Sequence, residues 1–173
     1  DNGSDYGVAL ASDVSGNTYI AGASFRIATA SFDYAVLKYS PTGALLWSSY
    51  YNGPGNGDDL PAAIAVDLSG NVFVTGTSKG STTQSDYATI KFDANGSQQW
   101  VATYDYVSKD DFGVGLQIET NGDITVTGAS QNNNNLYDMA TVRYNSSGIL
   151  QTDNRISLGV GLDSPVAIAL DAA

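Results

Sequence analysis

AIAVDLSGNVFVTG, residues 63–76, reads as a strand, a tight turn and a second strand. Ala63 to Val66 alternate, Asp-Leu-Ser-Gly supplies a turn whose Gly70 can take the positive φ that closes a hairpin, and Val72 to Gly76 resume the strand. Nearly the same phrase stands at 9–22 as ALASDVSGNTYIAG and at 115–128 as GLQIETNGDITVTG. It begins again as AIALDAA at 167–173. The fold therefore has to be read as a repeat.

Other positions hold the same register. Gly16, Gly70 and Gly122 are matched by Gly22, Gly76 and Gly128, and by the acids Asp13, Asp67 and Glu119. Farther along each unit stand FDYAVLKYSPTGALLW (32–47), SDYATIKFDANGSQQW (85–100) and YDMATVRYNSSGILQT (137–152), with Gly43, Gly96 and Gly148 in common. Within a unit, residues 61–66, 71–76, 86–92 and 97–104 read as four strands, with Ala88, Ile90 and Phe92 on one face of the third. No segment carries a helical apolar period.

The first strand of each unit is apolar on both faces. Ile64 and Val66 line one face, matched by Leu10 and by Leu116 and Ile118; Ala63 and Ala65 line the other, matched by Ala9 and Ala11 and by Ala167 and Ala169. Such a strand is buried from two sides with little room on one of them. Four-stranded units crowded at their first strand fit blades around an axis. The expected fold is all-β, a β-propeller of four-stranded antiparallel blades, three of them full and followed by the inner strand of a fourth. The blades fall at about 5–57, 58–109 and 110–162, and the next starts at 163–173.

Composition narrows the function. The net charge of −11 sets the chain against phosphate backbones and anionic lipid, which excludes nucleic acid as an expected partner. With no Cys and no His, the chain supplies no thiolate zinc ligand, thiol nucleophile or imidazole base, and no Ser-His-Asp triad can form. No apolar run nears the roughly 18 residues of a membrane helix, so membrane insertion is not expected. The absence of an initiator Met at Asp1 suggests a piece of something longer.

DLSGNVFVTG and DYATIKFDANGSQQW resemble the SBBP family, β-propeller repeats of bacterial extracellular and surface proteins, over essentially the whole chain. The Gly43-Ala-Leu-Leu-Trp47 ending is also similar to quinoprotein-type propeller repeats. The third unit departs, with Met139 for Tyr87 and Thr152 for Trp100, which predicts an irregular or covered outer strand. The resemblance implies a secreted or surface-attached bacterial protein. The expected function is a non-catalytic scaffold for adhesion, protein or glycan interaction. The alternative is a segment of an enzymatic propeller (lyase, hydrolase or quinoprotein type) whose catalytic residues lie in other blades.

Candidate site residues are few, and none is catalytic. Asp5, Asp59, Asp111 and Asp163 stand just before each first strand, with Asp58 and Asp110 beside two of them. They could form a carboxylate ring for Ca²⁺ near the mouth of a channel. Turn chemistry alone accounts for an Asp in every unit, so hydrogen bonding to backbone N–H groups is favoured and no cofactor is expected. Lys38, Lys91 and Arg143 recur on the third strand and read as structural pairs. Trp47 and Trp100 read as packing between blades. Asn2, Asn95 and Asn145 match the glycosylation pattern but already have turn roles in two of the three cases.

The stretches 23–32, 77–85 and 129–137 read as variable polar connections, where binding residues usually sit. Phe25, Arg26, Lys79, Gln131 and Tyr137 are the binding candidates there, for a sugar or a peptide. The remaining expected partners are further blades of a longer chain, or a second copy covering an exposed edge and Val166, Ile168 and Leu170.

Overall fold

The computed structural model describes residues 3–159 and 161–169. They form twelve strands and no helix: β1 (Asp5–Ser12), β2 (Thr18–Arg26), β3 (Ser31–Tyr39), β4 (Leu45–Tyr51), β5 (Leu60–Val66), β6 (Val72–Lys79), β7 (Ser85–Phe92), β8 (Gln98–Tyr104), β9 (Asp111–Ile118), β10 (Ile124–Gln131), β11 (Tyr137–Tyr144) and β12 (Leu150–Ile156). Three antiparallel sheets result, ordered β1-β2-β3-β4, β5-β6-β7-β8 and β9-β10-β11-β12. Each is a meander of consecutive hairpins, which is a propeller blade.

The turns follow from local chemistry. Gly16, Gly70 and Gly122 have φ near +80°, as do Gly43, Gly96 and Gly148. Asp67 Oδ1 accepts from the backbone N–H of Ser69 and Asn71, and Asp13 does the same in the first blade with Ser15 and Asn17. Glu119 departs from this, binding Arg143 at 2.6 Å instead. Each inner strand also carries a bulge at one place, between Gly7 and Ala9, between Pro61 and Ala63, and opposite Thr127/Gly128. The bulge turns the strand as it enters the blade.

Alternation along the strands fills the space between blades. Tyr19, Ala21, Tyr34, Val36 and Tyr51 of the first blade pack against Val72, Val74, Ala88, Ile90 and Phe92 of the second. Phe73, Tyr87 and Tyr104 of the second pack against Ile124, Val126, Ala140 and Val142 of the third. On β5, Ile64 and Val66 join the first cluster, Ala63 and Ala65 the second, so this strand is apolar on both faces because it has a neighbour on both. Each fully buried aliphatic side chain contributes about 1.5–3 kcal/mol. Among the described residues, the other face of the first blade has no neighbour. There β1 leaves Tyr6, Val8 and Leu10 exposed beside a hollow of about 300 Å³ over Ile20, Gly22, Ala35 and Tyr39.

The tryptophans bind the blades together at their outer edge. Trp47 Nε1 donates to Ala94 O at 3.1 Å and Trp100 Nε1 to Ser146 O at 3.2 Å, each reaching a turn of the following blade. Lys38 Nζ also donates to Ala94 O, at 3.4 Å, over the ring of Tyr19. Lys91 lies over the Phe73 ring.

Three expectations need correction. Strands β2, β6 and β10 run past the expected ends, because cross-strand pairing continues to Arg26–Ser31, Lys79–Ser85 and Gln131–Tyr137. The connections shrink to 27–30, 80–84 and 132–136. The outer strand of the third blade is no less regular than the other two: β12 pairs with β11 from Met139–Ile156 to Tyr144–Leu150 despite Thr152, with the one register shift, between Arg143 and Tyr144, that β4 and β8 share at the matching place. Backbone pairing does not need the Trp. Residues 163–169 form no strand; Val166 is exposed, while Ile168 O accepts from Gln117 Nε2. Asn2 and Leu170 lie outside the described residues.

Candidate functional site

The recurrent acids lie where one blade passes to the next. Asp59, fully buried, accepts from Gly53 N at 2.6 Å and Lys79 N at 3.1 Å. Asp111, equally buried, accepts from Tyr106 N at 2.7 Å and from the Ser130 hydroxyl. Asp163 accepts from Leu158 N at 2.7 Å. Asp59 and Asp111 therefore fold their junction loops back onto the blade that follows. Asp58 Oδ1 takes Phe32 N and Asp110 Oδ1 takes Ser85 N, tying the loops to the preceding blade's third strand. Asp5 is exposed at the start of β1.

Burial has an electrostatic consequence. Desolvation raises the carboxyl of Asp59 above the usual carboxylate range, against the pull of its hydrogen bonds. The same cause, with Asp105 and Asp86 nearby, pushes Asp111 up to about 7. Asp86, buried at the start of β7, is raised too, chiefly by desolvation.

Among the described residues, the acids weighed as a Ca²⁺ ring, Asp5, Asp59, Asp111 and Asp163, form no single group. The carboxylates that do come together are Asp86, Asp105 and Asp111, with one oxygen of each within 4.8 Å of the others. Only Asp111 belongs to the expected set. Asp86 does recur in the sequence, at the second position of SDYAT, as Asp33 does in FDYAV and Asp138 in YDMAT. Asp105 does not, because the other units carry Asn52 and Ser157 there, and it is a difference between units rather than a recurrence.

The five binding candidates lie at strand ends and are engaged locally. Phe25 meets Phe32 edge-on at 5.2 Å, and Arg26 stacks over Tyr50 at 4.7 Å while lying 3.7 Å from Asp33. Lys79 O accepts from Gly55 N of the junction loop. Gln131 Nε2 donates to Asn135 O, and Tyr137 packs on Phe112 at 5.7 Å. The contacts of each stay within its own blade or junction, so no one cluster gathers the five. The connections do stand beside the junction loops: Lys109 Nζ reaches Asn135 Oδ1 at 3.2 Å.

Sequence reasoning passed over Arg155. Its guanidinium sits 3.7 Å over the Tyr106 ring, donates to Ser130 O and binds Asp138 at 3.0 Å. It closes the second junction much as a bolt does, and only the third unit has it.

The blade order, the tight glycine turns and the tyrosines and tryptophans laid on the next blade describe a repeat whose units are incomplete alone. Residues 46–81 match the family model SBBP, described as a beta-propeller repeat. That stretch is similar to an SBBP β-propeller repeat. The SBBP match spans β4, the first junction with Asp59, and β5 and β6. It includes both the carboxylate clamp and the Gly70 hairpin. No curated protein matches the chain.

Proposed function

We propose that the chain is a non-catalytic interaction scaffold within a larger propeller of a secreted or surface-attached bacterial protein, with an adhesive role toward a protein or glycan ligand. One observation carries this reading. The recurrent acids Asp13, Asp67, Asp59 and Asp111 are committed to backbone groups at turns and junctions, whereas the connections 27–30, 80–84 and 132–136 differ in every blade. A repeated group spent on the fold leaves ligand contacts to the variable part. The extracellular placement rests on the family resemblance.

Further blades, from a longer chain or a second copy, would cover the exposed face of the first blade. Exposed apolar surface of this kind drives association.

The test is to screen the purified chain on a glycan array and against displayed peptides. Replacing the three connections with short Gly/Ser links is expected to abolish whatever binding appears while leaving the folding transition nearly unchanged. Binding that survives all three replacements would contradict the assignment of the face.

A further inference from the structure

We propose that the junction between the second and third blades holds a hard divalent cation, of the Ca²⁺ class, through Asp86, Asp105 and Asp111. The reading goes beyond the scaffold function and does not depend on it.

The three acids come from separate parts of the chain. Asp86 is on β7, Asp105 follows β8 directly, and Asp111 opens β9. One oxygen of each lies within 4.8 Å of the others. Oxygens bound at about 2.3–2.6 Å to one Ca²⁺ stand at most about 5 Å apart, so the spacing suits a shared ion. All the donors are oxygen, in a chain without His or Cys, which selects a hard cation.

A second observation points to a ligand. Asp86 is only 7% exposed, and its Oδ1 has no hydrogen-bond partner. Its Oδ2 accepts from the Thr83 hydroxyl at 2.6 Å. A buried carboxylate oxygen without a partner is costly unless a charge compensates it.

Comparison of the blades shows what is missing. Two residues beyond the serine that pairs with the acid, the first blade has Arg26 facing Asp33 and the third has Asn132 donating to Asp138. The second has Gly80. Opposite the alanine two residues after the acid, the third blade supplies Arg155 to Asp138, and the second has Thr103. This junction has lost both donor positions and gained Asp105 where its counterparts are Asn52 and Ser157. Among the described residues, no Lys or Arg forms an ion pair with Asp86, Asp105 or Asp111; Lys79 acts on Asp86 only at longer range.

The test uses the whole chain, stripped with EDTA and titrated with CaCl₂, by calorimetry and thermal melting. The expected result is saturable binding of one Ca²⁺ with a rise in Tm. Asp105→Asn should lose both responses and melt in EDTA no lower than the parent, since Asn is the first blade's residue at this place. Asp105→Ser, the third blade's residue, serves if Asn does not fold. Asp153→Asn, an exposed acid elsewhere, should keep the full response. No binding at millimolar Ca²⁺, or a Tm rise that persists in the Asp105 variants, would overturn the proposal.

Discussion

Tyr34 of the first blade places its hydroxyl over Gly76 of the second, donating to Ala88 O at 3.5 Å. A Cβ on Gly76 would run into the Leu60 carbonyl of the inner strand and stand 2.7 Å from that hydroxyl, so the glycine admits both the bulged strand and the ring. Tyr87 repeats the arrangement on Gly128, donating to Ala140 O at 3.2 Å. In the first blade, Gly22 and Ala35 line a hollow on the open face, and among the described residues no preceding blade supplies such a ring. The ring in its glycine socket is the unit of blade-to-blade packing, and it sets the first prediction. Tyr34→Ala should cost about 3–5 kcal/mol by chemical denaturation, as for other buried aromatics. Tyr34→Phe should cost about 1 kcal/mol or less, because the hydroxyl bond is long. Equal losses for the two would mean that the hydroxyl, not the ring, holds the junction.

The turn glycines separate strain from contact. Gly43 and Gly96 share φ near +84°, but space around Gly43 is open, whereas a Cβ on Gly96 would lie 2.8 Å from the Trp47 ring. Gly43→Ala should cost about 1 kcal/mol from backbone strain alone. Gly96→Ala should cost more, by about 1–3 kcal/mol, since Trp47 must move and risks its bond to Ala94. Thermal melts of the two variants decide it, and equal destabilisation would contradict the packing described.

Stability should fall as pH rises between about 4 and 7. Asp111 titrates near 7 in the fold and near 3.8 otherwise, so over that range the folded state binds more protons than the unfolded one. The stabilisation is fully present below the ordinary carboxylate value and lost by the time pH passes the folded one. Asp86 and Asp59 shift in the same direction. In EDTA, Tm is expected to be higher at pH 5 than at pH 8, with a weaker dependence in Asp111→Asn. A Tm that climbs with pH over this interval would contradict the burial of these acids without compensation.

The recurrent features were legible in the sequence because a repeat writes them several times. Gly70, Asp67 and the two-faced β5 needed only local chemistry and the spacing of their copies. The ends of β2, β6 and β10 were not legible: polar residues such as Ser78 and Ser130 look like loop, yet they pair across the blade and are buried. Asp105 and Arg155 were hidden for the opposite reason. Each breaks the repeat once, and its meaning lies in what the neighbouring blade places beside it.

The most direct test of the account is the mass of the isolated chain in solution. Its central claim is that the blades complete one another, each lying on the next, and that the first blade's open face, with Tyr6, Val8 and Leu10 exposed, takes a further blade or a second copy. Multi-angle light scattering across a concentration series should show association above the 18.0 kDa monomer, weakened by Leu10→Lys. A cooperatively folding monomer, unchanged in mass at every concentration, would contradict it.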